Sequence, residues 1–263
     1  MNRKIIVVAP LLAGLILMGT SLSVSAQTTS TRPNVAARQA ARLENIVNRA
    51  NQEISRRVSA LQALANRVTA MAKLSSDQKQ GLSSTIQSQI QAMQSLQSQI
   101  QTDAGNLTAL KADVQSIAKT YRIYMLVIPQ GAIEAAADRA MDVASTLQTL
   151  AAKLQTRIAG LPASSANLTD VQNALMDMNA KISDANVQAQ AAVSEVSGLK
   201  PDNGDQAQMQ TNTAALKDAR SKIQAVQKDL VAARQDAGTI VKDLKGVSSG
   251  TGSGVTTTSP SAE

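Results

Sequence analysis

Residues 216–244 read LKDARSKIQAVQKDLVAARQDAGTIVKDL. Within them Leu216, Ala219, Ile223, Val226, Leu230, Ala233, Ala237, Ile240 and Leu244 recur in unbroken alternation of three and four. Such steps keep side chains on one stripe of an α-helix, and holding the alternation over about four heptads is the spacing at which helices pack knob into hole. The stretch predicts a long helix over 205–245 with coiled-coil character.

The pattern continues upstream. Val171, Leu175, Met178, Ile182, Ala185, Ala189, Val193 and Val196 form a second seam, ended by Gly198, Pro201 and Gly204. Thr169 with Gln172 reads as a capping box at its start. Ile133, Ala137, Ala140, Ala144, Leu147, Leu150 or Ala151, Leu154 and Ile158 predict a helix over 131–159, closed by Gly160 and Pro162. Earlier still, Ser75-Ser76-Asp77 supplies N-cap chemistry for a helix with Leu82, Ile86, Ile90, Met93, Leu96 and Ile100 on one face. That face falters at Gly105, a kink or short break, and resumes with Leu107, Leu110, Val114 and Ile117. A first helix over 34–73 follows from Leu43, Val47, Ala50 and Ile54, then Val58, Leu61, Ala65, Val68 and Ala72. Arg57 stands where the first frame would put a core residue, so the seam slips by one place there. Short connections imply antiparallel neighbours. The expected fold is all-α: an antiparallel bundle of about five long heptad-patterned helices with coiled-coil character over 34–245.

Residues 121–129, YRIYMLVIP, differ from the rest in being rich in aromatic and β-branched side chains. Two readings stay open for 121–128. Tyr121, Tyr124 and Ile128 extend the heptad steps and favour helix, whereas composition and the pre-proline position of Ile128 favour extended chain. Either way the segment is expected to be buried. Over 121–139 the strings YRIY, IPQG and AAADR resemble a group of uncharacterised exported bacterial helical proteins. The resemblance covers a small part of the chain; it implies secretion and a helical fold, and carries no functional residue.

Composition narrows the chemistry. Hydrophobic residues make up 43% of 263 and charged residues 17%, so the chain can bury a core and falls outside the disordered class. With no Phe or Trp and only two Tyr, that core must be aliphatic and Ala-rich, which suits closely packed helices. Cys and His are absent, which removes disulfides, thiolate nucleophiles and the usual zinc and haem sites. An enzyme is not expected, and no cofactor is.

Arg3 and Lys4 precede the apolar run 5–18, and Val24-Ser25-Ala26 follows with small residues at the spacing signal peptidase accepts. Residues 1–26 therefore read as a signal peptide. An uncleaved anchor is the alternative, weakened by Pro10 and Gly14 within a run already short for a span. Residues 27–33 read as a flexible N-terminus, and the Gly, Ser and Thr tail 246–263 as disordered. The expected location is extracytoplasmic, as periplasm, cell surface or medium.

Several motifs have ordinary explanations. Ser76-x-x-Lys79 and Ser116-x-x-Lys119 match the nucleophile spacing of penicillin-binding enzymes, whose other motifs are missing here. Gly250-Thr-Gly-Ser-Gly254 lacks the strand and helix that a phosphate loop needs. Asn106-Leu-Thr and Asn167-Leu-Thr are glycan-acceptor triplets standing at helix starts, where capping is the preferred reading. Glu134, Asp138 and Asp142 share one helix face, read as solvated and without the converging ligands of a calcium site.

The sharpest charge feature is on the first helix. Losing Arg3 and Lys4 with the leader lowers the formal charge from +7 to +5, and residues 27–74 hold eight basic residues against Glu44 and Glu53. Arg42, Arg49 and Arg56 recur every seven residues with Arg38 nearby, which sets guanidinium groups beside the apolar seam. The preferred reading pairs these arginines with acidic residues of neighbouring helices. The functional alternative makes Arg38, Arg42, Arg49 and Arg56 a polyanion-binding or membrane-surface site. The function expected is that of an exported, non-catalytic structural or interaction protein of the cell envelope, acting through helical surfaces. Its expected partners are an unidentified protein or envelope polymer, an anionic polymer or lipid surface, or a second copy of the chain. No small-molecule substrate is expected.

Overall fold

The structure, a computed structural model, describes residues 35–119, 122–165 and 167–250. The expected signal peptide, the 27–33 segment, Tyr121 and tail residues 251–263 lie outside the described residues. Among the described residues six α-helices follow in order: α1 (Val35–Ala70), α2 (Ser76–Thr102), α3 (Leu107–Lys119), α4 (Ile128–Ala159), α5 (Leu168–Ser197) and α6 (Gln206–Gly250). A 3₁₀ turn at Asp103–Gly105 joins α2 to α3, and a π-helical turn at Ile123–Val127 leads into α4. No strand occurs among the described residues, so the all-α expectation holds.

Local chemistry sets most ends. Ser75 caps α2 in a full capping box with Gln78. The Asn106 carboxamide accepts from the amides of Thr108 and Ala109 at the start of α3. Gly160 ends α4 and Gly198 ends α5. Two expectations are corrected. The capping box at Thr169 and Gln172 does not form, because α5 begins at Leu168 and places Thr169 inside the helix, where an N-cap's non-helical backbone is not available. The last helix runs to Gly250 rather than stopping at Lys245, so residues 246–250 belong to α6 and not to the tail.

Residues 123–128 are helical, which excludes the extended reading there. Pro129 has no N–H, so the carbonyl four residues before it receives no α-helical bond. The turn widens instead: the Ile128 amide donates to the Ile123 carbonyl, a five-residue step. Ile128 keeps helical angles despite preceding proline. The extra residue rotates the seam. Ile123, Leu126 and Val127 are buried, whereas Tyr124 and Met125 are 37% and 66% exposed, so burial of the whole segment is corrected to burial of one face. Arg122, in the left-handed region at φ 46°, reverses the chain into this turn. Its guanidinium is held 3.0 Å from the buried Asp202 carboxylate, which also accepts from the Gly204 amide at 2.9 Å.

Helices adjacent in sequence run antiparallel within the α1–α2 and α5–α6 pairs. Across the latter, Lys222 meets Glu195 at 2.8 Å and Lys181 meets Asp236 at 2.9 Å. Helices α1 and α4 are different, since their contacts climb both chains together. Arg57 lies over Tyr124, Leu64 lies beside Gly131, and the amides of residues 72–74 meet Asp138. These two helices, which are not consecutive in the chain, are parallel. Helix α4 packs on α5 and α6 along one side and on α1 along another. It is the element common to both halves of the bundle. The core of α4–α6 contains completely buried Ala137, Ala144, Ala189, Ala192, Ala219 and Ala233, small side chains that let backbones approach closely.

Candidate contact face on helix α1

The heptad seam of α1 buries Val47, Ala50, Ile54 and Leu61, then Leu64 and Val68, with Ala65 only half covered. This is the first frame continued through position 57 and on to the buried Met71, with Val58 also only half covered and Ala72 exposed, so the slip expected at Arg57 is absent. Arg57 occupies the seam with its side chain largely covered, paired with Glu53, and its guanidinium carbon lies 5.0 Å from the centre of the Tyr124 ring. Arg56 pairs with the same carboxylate at 2.5 Å and lies 5.6 Å from the same ring centre. One carboxylate and one aromatic ring thus serve two guanidinium groups, joining α1 to the π-helical turn. Burial pushes the Arg57 guanidinium below its ordinary value, partly opposed by Tyr124. Its Nε atom is buried and donates to nothing among the described residues.

Arg38, Arg42 and Arg49 are placed differently. All three are exposed, and among the described residues none forms an ion pair. Pairing with acidic residues of neighbouring helices is thus absent for these three, and Arg56 finds its carboxylate on its own helix. The physical reason is placement. The acid-bearing helices α5 and α6 pack on each other and on α4 rather than on α1.

Arg49 borders a groove between α1 and α3 that is also lined by Ile46, Ala50, Glu53, Arg57, Val114, Ile117 and Ala118. Arg38 and Arg42 lie further along α1, beside a depression lined by that helix alone that adjoins the groove at Ile46 and Arg49. The groove offers an apolar floor and cationic edges. It holds no arrangement of nucleophile and base.

The acidic face of α4 is corrected by the structure. Glu134 is 1% exposed and Asp138 is buried, so only Asp142 is solvated, 3.5 Å from Lys73. Asp138 accepts from the amides of Ala72, Lys73 and Leu74 at 3.1, 2.5 and 3.0 Å, closing the end of α1 with a side chain from another helix. Glu134 lies on the same face between Gly131 and Asp138, and one of its oxygens has no partner. Burial pushes its carboxyl up to about 7, with the Gln130 amide drawing it down. Sequence alone concealed this, because four-residue spacing of acids reads the same whether water or another helix covers them.

The remaining motifs separate into unrelated contacts. Lys79 donates to the Met71 carbonyl and Ser116 to the Asp113 carbonyl, so neither Ser-x-x-Lys pair forms a nucleophile–base couple. No cluster of three or more acidic side chains is placed to hold a metal among the described residues. No described helix is long and apolar enough to cross a membrane. Comparison of the chain with protein-family models, curated proteins and solved structures returns no match.

Proposed function

We propose that this chain is an exported, non-catalytic interaction protein of the cell envelope whose contact surface is the arginine face of α1. Export rests on the leader-like residues 1–26 and on the resemblance over 121–139. The observation that carries the reading is the placement of Arg38, Arg42 and Arg49, three exposed guanidinium groups without a counter-ion among the described residues. Their side chains rise along about 16 Å of helix, at ~1.5 Å per residue, so they present charge as a row rather than a point. A row of cations attracts an extended anionic partner, and the attraction weakens as salt screens it.

The unpaired row also favours a second reading, a polyanion- or membrane-surface-binding protein using Arg38, Arg42 and Arg49, with Arg56 engaged by Glu53. Heparin serves as a generic anionic probe for either. Arg38→Gln, Arg42→Gln and Arg49→Gln together should leave the melting temperature within a few degrees of wild type while removing salt-sensitive heparin binding. Loss of stability in that variant would mean that the arginines belong to the fold. Wild-type heparin binding in it would mean that the face lies elsewhere.

A further inference from the structure

We propose that the groove between α1 and α3 docks an amphipathic helix with an acidic flank, carried by a partner protein. This rests on the reading of α1 as a contact surface and names the partner's chemistry.

Three features of the groove meet in this occupant. Its floor is apolar and incompletely covered: Ile46 and Val114 are half-buried, and Ala118 keeps one wall low and exposed. A helix laid along it finishes that burial and approaches closely over small side chains. Its edge is cationic, because Arg38, Arg42 and Arg49 face solvent without an ion pair among the described residues. Glu53, the one acid in the groove, is already engaged by Arg56 and Arg57 and does not repel an acidic flank. The α1 side of the groove together with the arginines leading up to it runs from Arg38 to Arg57, a rise of about 28 Å, the span of about 19 helical residues.

Other anionic occupants use only part of this geometry. A hydrated polyanion meets the arginines and leaves the floor uncovered. A bilayer takes up apolar side chains that protrude, whereas Ile46 and Val114 line a recess between two helices. An amphipathic helix supplies both the apolar stripe and the flanking charge, as partner helices do in coiled coils.

The test uses a synthetic helix of about 21 residues with Leu and Ile on one stripe and Glu along one flank, labelled for fluorescence anisotropy. The same peptide with Lys in place of Glu is the control, and heparin and phosphatidylglycerol vesicles are titrated in parallel. The mature chain should bind the acidic peptide and not the Lys peptide. The triple Arg→Gln variant should weaken that binding by at least ~10-fold. Ala118→Gln, a longer neutral side chain at an exposed position, should weaken peptide binding by a similar factor while leaving heparin binding unchanged. Heparin binding without peptide binding overturns the helix and leaves the arginine face standing, whereas loss of both removes the face as well. Peptide binding indifferent to Ala118→Gln removes the groove. Vesicle binding that Ala118→Gln abolishes, with no peptide binding, gives the groove to lipid and overturns the proposal.

Discussion

Glu134 shows how much a single buried group can impose on this fold. Its carboxyl is covered between α1 and α4 with one oxygen unpartnered, and its protonation is raised to about 7 from an ordinary 4.5. The folded state therefore holds the proton more tightly than the unfolded chain. Stability from this group is fully present below pH 4.5 and is lost as pH rises toward 7 and beyond. At ~1.4 kcal/mol per unit the loss approaches about 3 kcal/mol. Glu134→Gln should make the protein more stable at pH 8 and flatten this dependence, measured by urea unfolding at pH 4.5 and pH 8. Parallel pH profiles for the two proteins would contradict the buried placement. Asp138 has a different part in the fold, since its carboxylate accepts from three amides at the end of α1. Asp138→Ala should cost about 2–4 kcal/mol, because three partly buried donors lose their acceptor together. An unchanged unfolding midpoint would show that water replaces the carboxylate at no cost.

At the level of elements, seams and crossings set different tolerances. In α6 the stripe ending at Ile240 and Leu244 is buried throughout, and Leu230 within it is 8% exposed. Leu230→Asp places a charge in that seam and should cost several kcal/mol, read as a large fall in melting temperature. If the melting temperature did not change, α6 would not be part of the core. The α1–α4 crossing depends on the absence of a side chain. A Cβ on Gly131 would stand 2.5 Å from the Leu64 side chain, which is itself buried. Gly131→Val should therefore destabilise by about 1–3 kcal/mol through overpacking, although valine suits a helix better than glycine does. A stabilised variant would indicate that Leu64 moves aside freely. The α6 stripe was legible because a period of three and four can be read directly from residue spacing. The crossing at Gly131 was not, because a lone glycine in a helical pattern carries no mark of what passes over it.

Across the whole molecule α4 is decisive, because it belongs to both halves of the bundle. Its contact with α5 and α6 is aliphatic and Ala-rich, whereas its contact with α1 includes the buried polar side chains Gln130, Glu134 and Asp138. Hydrogen bonds and buried charge make the second contact more sensitive to pH and substitution than the first. In native-state hydrogen exchange, the amides of α1 and α2 should therefore open at lower free energy than those of α5 and α6. Asp138→Ala should widen that difference. A single opening energy over all six helices would show that the halves are coupled more tightly than their contacts suggest. The arginine face lies on the more easily opened half, so occupation of the α1–α3 groove should protect α1 and α3 first.

The sequence by itself determined that the chain is helical, where most helices lie, and which aliphatic residues of α2, α4, α5 and α6 face inward. Each of these follows from local spacing, capping side chains and the punctuation of Gly and Pro, all of which act within a few residues. Residue spacing also singled out the arginines of α1, although not their state. Only the tertiary structure decided that α1 and α4 run parallel, that Glu134 and Asp138 are covered, and that Pro129 is accommodated by a π-helical turn. It alone left Arg38, Arg42 and Arg49 without a neighbouring carboxylate among the described residues. The reason is physical. Whether a charged side chain meets water, a counter-ion or a backbone amide depends on which distant segment packs beside it, and a helix's own periodicity is the same in each case.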